Sequence, residues 1–168
     1  ELMTSATITD RLVALSRALI GRIRGGLAQV NVLVSMFFAG MNGSVVADTA
    51  TVGALVLPAM KKAGYPAAFS AAVTGVSSTI GGIIPPSIMM IVLANSTEIS
   101  IAALFAAGII PGVLIGVVIM IINHYFAIKH NFERSDQPFS IRRAGKELYR
   151  SSFALLIPLV LVGSVMGG

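Results

Sequence analysis

The chain of 168 residues contains no cysteine, which excludes disulfides and thiolate metal sites. Charge is scarce as well. Asp, Glu, Lys and Arg make up 11% of the residues, where a soluble domain carries about 25%. So few charges cannot cover a water-facing surface, and 55% of the residues are hydrophobic. The composition predicts an all-α integral membrane protein. The two histidines, His124 and His130, are not at a one-face helical spacing, which argues against a metal site. There is no zinc motif, no pair of carboxylates and no histidine near the centre of a predicted span, so an enzyme is not expected. The chain opens at "ELMTSATITD" without an initiator Met and stops inside "ALLIPLVLVGSVMGG". Both ends suggest a piece of a larger membrane protein.

What is present divides into six segments. Residues 1–26 hold the end of a span and a basic amphipathic helix over 8–24. Ile8, Leu12, Leu15, Leu19 and Ile23 form its apolar stripe, and Arg11, Arg17, Arg22 and Arg24 lie mostly off it. Residues 27–63 contain an apolar run, 27–39, then a break at Gly40 to Gly43, then a second run from Ser44 to about Met60. The first run would rise about 20 Å, short of a roughly 30 Å hydrocarbon core. Two readings compete, a re-entrant helical hairpin and one kinked spanning helix. The charges favour the hairpin, because Arg22 and Arg24 precede it and Lys61 and Lys62 follow it, which places both ends on the cytoplasmic side.

Residues 64–97 predict a discontinuous transmembrane helix. Ala68, Ala71, Ala72 and Gly75 would allow close helix packing. "STIGGIIPPS" then interrupts it, and "IMMIVLAN" resumes. Residues 98–130 predict a short helix capped by Ser100 and ending near Gly108, then a span starting at Pro111. Residues 131–150 read as a cytoplasmic amphipathic connector and 151–168 as the start of the next span. With this topology all 12 Lys and Arg fall on one side, so the +5 net charge reflects membrane orientation rather than nucleic-acid binding.

Irregular backbone at membrane depth is tolerated only inside protein or beside a watery cavity. Both interruptions have polar neighbours: Asn42, Ser44, Asp48, Thr49 and Thr51 at the first, Ser77, Ser78 and Thr79 at the second. Asp48 is the one Asp or Glu inside the predicted hairpin and spans. A lone carboxylate there costs at least about 2.5–3.5 kcal/mol, which a cation or a proton would offset. Ser44 lies one helical turn from Asp48, and an all-oxygen set suits Na⁺. The helices restarting near Ser44 and Ser87 would each aim a positive dipole end at an anion, with Asn42 beside the first. Two broken elements meeting at mid-depth characterise secondary-transporter sites. The plainer alternatives are a solvated Asp48 in a vestibule, a purely structural kink at 80–86, and Ser and Thr acting as interhelical glue.

"RLVALSRALIGRIRGGLAQVNVL", "GSVVADTATVGALVLPAMKKAGY" and "STIGGIIPPSIMM" resemble the large membrane subunit of tripartite ATP-independent periplasmic (TRAP) transporters, DctM-like permeases, from end to end of the chain. The resemblance implies a Na⁺-coupled symporter of the bacterial inner membrane that imports organic acids, of the C4-dicarboxylate or sialic acid type. Its implied partners are a periplasmic solute-binding protein and a small membrane subunit, and its implied mechanism is elevator-like movement of two inverted repeats. This chain would cover part of the first repeat. By motif, Ser44 and Asp48 fall in the hairpin tip, and Ser78, Thr79, Gly81 and Pro85 in the broken helix. Ser44, Asp48, Ser78, Thr79 and Gly81 are thus the Na⁺ candidates, and Asn42, Ser44 and Ser87 the substrate candidates. The family usually has Ser or another small residue in place of Asn42, and often Pro in place of Gly82. The competing functions are a divalent-anion/Na⁺ symporter without a binding protein and a membrane subunit that moves nothing.

Overall fold

A computed structural model of the chain describes residues 12–20 and 23–132, with scattered helical positions between 145 and 164. The predicted connector and final span therefore lie almost wholly outside the described residues. Among those described, the elements are all helices: α1 (12–20), α2 (Gly26–Asn42), α3 (Val45–Lys62), α4 (Ala67–Ser78), a 3₁₀ turn (Thr79–Gly82), α5 (Ile88–Thr97) and α6 (Ile101–Lys129).

In α1, Leu12, Leu15, Ser16 and Ile20 are buried, whereas Leu19 and Ile23 are exposed. The expected stripe holds at Leu12 and Leu15 and not at Leu19, and Ile8 lies outside the described residues. Ile23 lies beyond the helix, so helical spacing no longer sets where it projects.

α2 is the central strut, with eleven of its 17 residues buried. It packs against α3, α4 and α6. α2 and α3 form an antiparallel hairpin: the turn lies at Gly43–Ser44, and at the far end Asn31 Nδ2 meets Met60 Sδ at 3.7 Å. The break is tighter than the sequence suggests. Gly40 is a buried residue inside α2, and only Gly43, at φ 58°, takes the left-handed conformation that ends it. A glycine inside a helix costs only about 1 kcal/mol, which the packing around Phe38 and Ala39 overrides. Left-handed backbone at the helix end is a stronger demand for glycine. Ser44 then caps α3, its Oγ accepting from the Ala47 N–H at 3.4 Å.

α4 turns Ser70, Val73, Thr74, Ser77 and Ser78 inward. Ala68, Ala71, Ala72 and Gly75, expected at a helix contact, are exposed. Hydroxyls need partners in apolar surroundings and small apolar side chains do not, so the hydroxyl face takes the interior. The helix tightens at Thr79–Gly82, breaks through Ile83–Pro86, and restarts as α5 under the Ser87 cap. The discontinuous helix is therefore present.

α6 is one continuous helix of 29 residues, capped by Ser100, with Pro111 inside it. The short helix ending near Gly108 and the separate span from Pro111 are both corrected. Proline removes one ladder donor, and packing on either side compensates. A Cβ on Gly108 would come 2.5 Å from the Ile83 carbonyl, one on Gly112 2.5 Å from Ile84 Cγ1, and one on Gly116 2.5 Å from Met36 Sδ. Three glycines four apart thus seat α6 against both the broken helix and α2. Gly108→Ala should lower stability by about 1–3 kcal/mol although alanine favours helix. Thermal unfolding of the full-length protein checks this, with Gly75→Ala, where nothing lies within 4 Å, expected to be harmless.

The same contacts give depth. Along α6, Ala127 meets Gly25, the Met120 carbonyl accepts from Gln29 Nε2 at 2.8 Å, Gly116 meets Met36 and Gly112 meets Ile84. α6 is about 43 Å long, and Gly112 lies about 26 Å from its Lys129 end. The α2–α3 turn packs on the break at this level, so both arms stop well short of the other end of α6. Ile110, Leu114, Ile121 and other apolar side chains on α6 are exposed, and α6 is the one described helix long and apolar enough to cross a membrane.

Candidate functional site

The two interruptions meet. A Cβ on Gly43 would strike the Pro86 carbonyl, and the Gly43 carbonyl accepts from the Ile88 N–H at 3.2 Å. On the other side of the junction, Gly81 approaches the Ser44 carbonyl, 3.7 Å from where its own Cβ would sit. The hairpin tip therefore caps the restart of the broken helix, and the N-terminal ends of α3 and α5 are neighbours.

One turn into α3 lies Asp48, 0% exposed. Its place in the first turn favours negative charge through the helix dipole. Neither carboxylate oxygen has a hydrogen-bond partner. The hydroxyls of Ser78 and Ser35 lie beside it. Ser78 Oγ also lies 2.8 Å from the Thr74 carbonyl, to which it donates. Ser77 Oγ donates to the same carbonyl at 3.1 Å and lies 3.3 Å from Ser35 Oγ. A buried carboxylate flanked by hydroxyl oxygens is an all-oxygen set that a cation fits.

The predicted residues divide. Ser44, Asp48, Ser78 and Gly81 come together at the junction. Thr79 is exposed and its Oγ1 donates to the Val76 carbonyl at 2.7 Å, away from the carboxylate. Asn42 is exposed at the end of α2, beside the tip. Ser87 is fully buried, its Oγ donating to the Gly82 carbonyl at 2.8 Å and accepting from the Met90 N–H at 3.4 Å. Its hydroxyl holds the break in shape. Pro85 is buried within the break.

Sequence reasoning missed a polar seam below the site. Asn31 Nδ2 donates to Thr74 Oγ1 at 2.7 Å, Thr74 Oγ1 donates to the Ser70 carbonyl at 2.9 Å, and Ser35 meets Ser77. A signal was available: Asn31 and Ser35 are four apart in one apolar helix, and Ser70, Thr74 and Ser78 are four apart in another.

A helical hairpin and a broken helix thus join at their interruptions beside a buried carboxylate, an arrangement that resembles those expected at secondary-carrier sites. The family model described as "Tripartite ATP-independent periplasmic transporter, DctM component" matches residues 1–168, and the chain belongs to this family. It is 38% identical over 168 residues to the sialic acid TRAP transporter permease protein SiaT of Haemophilus influenzae, covering 99% of this chain and 27% of that protein. It is 36% identical over 166 residues to the C4-dicarboxylate TRAP transporter large permease protein DctM of Pseudomonas aeruginosa, covering 99% of this chain and 39% of that protein. It is also 36% identical over 168 residues to the 2,3-diketo-L-gulonate TRAP transporter large permease protein YiaN of Escherichia coli, covering 100% of this chain and 39% of that protein. The chain therefore spans about two-fifths or less of these curated relatives.

Proposed function

We propose that this chain is part of a Na⁺-coupled secondary transporter that imports organic acids across a bacterial inner membrane. The observation that carries this reading is the unpaired Asp48 carboxylate at the junction of the two helix breaks. Na⁺ is bound by Asp48 with the hydroxyl oxygens of Ser35 and Ser78, near Ser44 and Gly81. The substrate anion is met at the hairpin tip by Asn42 and Ser44, where the α3 dipole favours negative charge. The relatives' names cite sialic acid, C4-dicarboxylate and 2,3-diketo-L-gulonate, and an organic acid of this kind is the substrate proposed here.

A periplasmic solute-binding protein delivers the substrate, and a small membrane subunit completes the permease. One relative is the isethionate TRAP transporter permease protein DctMQ, whose name suggests a fusion of the two membrane subunits. Elevator-type movement is supported by the hydrogen bond from Ile88 to the Gly43 carbonyl and by the polar seam, which tie the hairpin and the broken helix into one body.

The hairpin is re-entrant in this reading. In support, its tip stops about 26 Å along α6 while α5, which restarts at the tip, continues past it. Cysteines placed at Lys62 and at Glu98 of the full-length protein test the topology. Lys62→Cys should react with an impermeant thiol reagent only from the cytoplasm, and Glu98→Cys only from the periplasm. Reaction of Lys62→Cys from the periplasm would reject the hairpin in favour of a spanning helix.

A further inference from the structure

The oxygens of the Asp48 pocket come from three helices: Ser35 from α2, Asp48 from α3 and Ser78 from α4. Their spacing therefore follows from how α4 sits on α2. Two side-chain contacts join those helices. Asn31 Nδ2 donates to Thr74 Oγ1 at 2.7 Å, and Ser35 Oγ lies 3.3 Å from Ser77 Oγ. The partners ascend together, so α2 and α4 run parallel here, with the contacts about one turn apart. One contact would let α4 turn about it, whereas two fix rotation and axial register together. Thr74 is the node between them and the pocket. Its hydroxyl is held by Asn31 and by the Ser70 carbonyl, to which it donates at 2.9 Å. Its own carbonyl accepts from Ser77 Oγ at 3.1 Å and from Ser78 Oγ at 2.8 Å. A shift of Thr74 is thus carried to the hydroxyl beside Asp48.

The third helix closes on the same pair. Asn31 Nδ2 also lies 3.7 Å from Met60 Sδ of α3, and a Cβ on Gly53 of α3 would lie 3.5 Å from Thr74 Cγ2. Asn31 and Thr74 are both buried, and Asn31 Oδ1 has no hydrogen-bond partner. An unpaired buried acceptor is costly, and an apolar pair of the same shape would join the helices without that cost. Stability alone therefore does not account for the pair. A directional hydrogen bond supplies what apolar packing between helices does not, a defined register.

We propose that Asn31 and Thr74 are positioning residues for the cation pocket, and that their hydrogen bond sets the spacing of Ser35 and Ser78 and with it the preference for Na⁺ over the larger K⁺. Neither residue touches the ion. They act through the seating of α4 on α2, as the outer partners of a metal site orient its ligands. The inference rests on Na⁺ binding at Asp48 and adds how that site tells one cation from another.

The test uses the full-length permease with its small subunit and follows the rise in melting temperature with added NaCl or KCl, at constant ionic strength made up with choline chloride. The wild type should be half-saturated at a lower concentration of Na⁺ than of K⁺. Thr74→Val and Asn31→Leu, which keep approximate shape and remove the hydrogen bond, should each raise the half-saturating Na⁺ concentration about tenfold and narrow the gap to K⁺. Thr74→Ser keeps the hydroxyl and should keep both values. The double variant Asn31→Leu/Thr74→Val should shift Na⁺ no further than the more affected single variant, because the two groups form one contact. The melting temperature without Na⁺ or K⁺ reports packing alone. A fall there with unchanged half-saturation and unchanged discrimination would reduce the pair to interhelical glue and overturn the proposal. Equal half-saturation by Na⁺ and K⁺ in the wild type, or additive shifts in the double variant, would overturn it as well. Asp48→Asn is measured alongside. Stabilisation by Na⁺ that survives Asp48→Asn would remove the site and this inference together. Stabilisation lost in Asp48→Asn but unaltered in Thr74→Val and Asn31→Leu would remove this inference alone.

Discussion

Asp48→Asn in the full-length transporter is expected to reduce Na⁺-driven uptake at least tenfold, equivalent to about 1.4 kcal/mol or more. The substitution keeps shape and removes charge. In the wild type the carboxylate is fully buried, with the hydroxyl oxygens of Ser35 and Ser78 beside it. If a cation balances this buried charge as proposed, its attraction to a carboxylate at about 4 Å is worth about 4 kcal/mol for an effective dielectric constant near 20. Asparagine supplies no charge and brings two donors of its own, so the affinity for a cation collapses while folding is kept. Thermal unfolding offers a second readout. Added Na⁺ should raise the melting temperature of the wild type, by linkage of binding to the native state, and leave that of the variant unchanged. If the variant transports normally with the same Na⁺ dependence, Asp48 is not the coupling site.

Gly43→Ala should be the most damaging single-methyl change near the site, costing about 2–5 kcal/mol. Left-handed backbone costs a side-chain-bearing residue about 1–2 kcal/mol, and steric overpacking adds about 1–3 kcal/mol. The new Cβ would be driven into the Pro86 carbonyl, at the contact where the hairpin tip caps α5. Loss is therefore expected both in thermal stability and in uptake, because separating tip from break also opens the cation pocket. Gly82→Ala is the graded comparison. Its Cβ would lie 3.3 Å from a Val45 methyl, which can yield slightly, so a much smaller loss is expected. Equal tolerance of alanine at Gly43 and Gly82 would contradict the junction as described.

Much of this arrangement was legible in the residues. The start of the second hairpin arm at Ser44, the Gly-Gly and Pro-Pro interruption, and Asp48 one turn further on follow from local rules, since helix starts, breaks and dipole ends depend on near neighbours in sequence. The errors have a common origin. Gly40 and Pro111 read as breakers and lie inside continuous helices, because neighbouring elements pack tightly enough to override a local penalty of about 1–3 kcal/mol. Ala68, Ala71, Ala72 and Gly75 read as the contact face of α4 and face outward, because Thr74 and Ser77 have partners in α2. Ser87 read as a substrate contact, and its hydroxyl is consumed within the break.

The sequence by itself determined an apolar, all-helical chain with two interruptions, a lone acid beside one of them, and basic residues set at segment ends. Those properties are local or additive, and composition, spacing and helix-end chemistry suffice to read them. Only the tertiary structure decided that the interruptions touch, that Ser35 from α2 joins Asp48 and Ser78, and that Gly108 and Gly112 of α6 hold the break at a fixed depth. Each of these depends on which helix faces which across tens of residues of chain. In surroundings as apolar as the side chains themselves, the hydrophobic pattern carries little of that information. Close approach at glycines and the pairing of buried polar groups supply it instead.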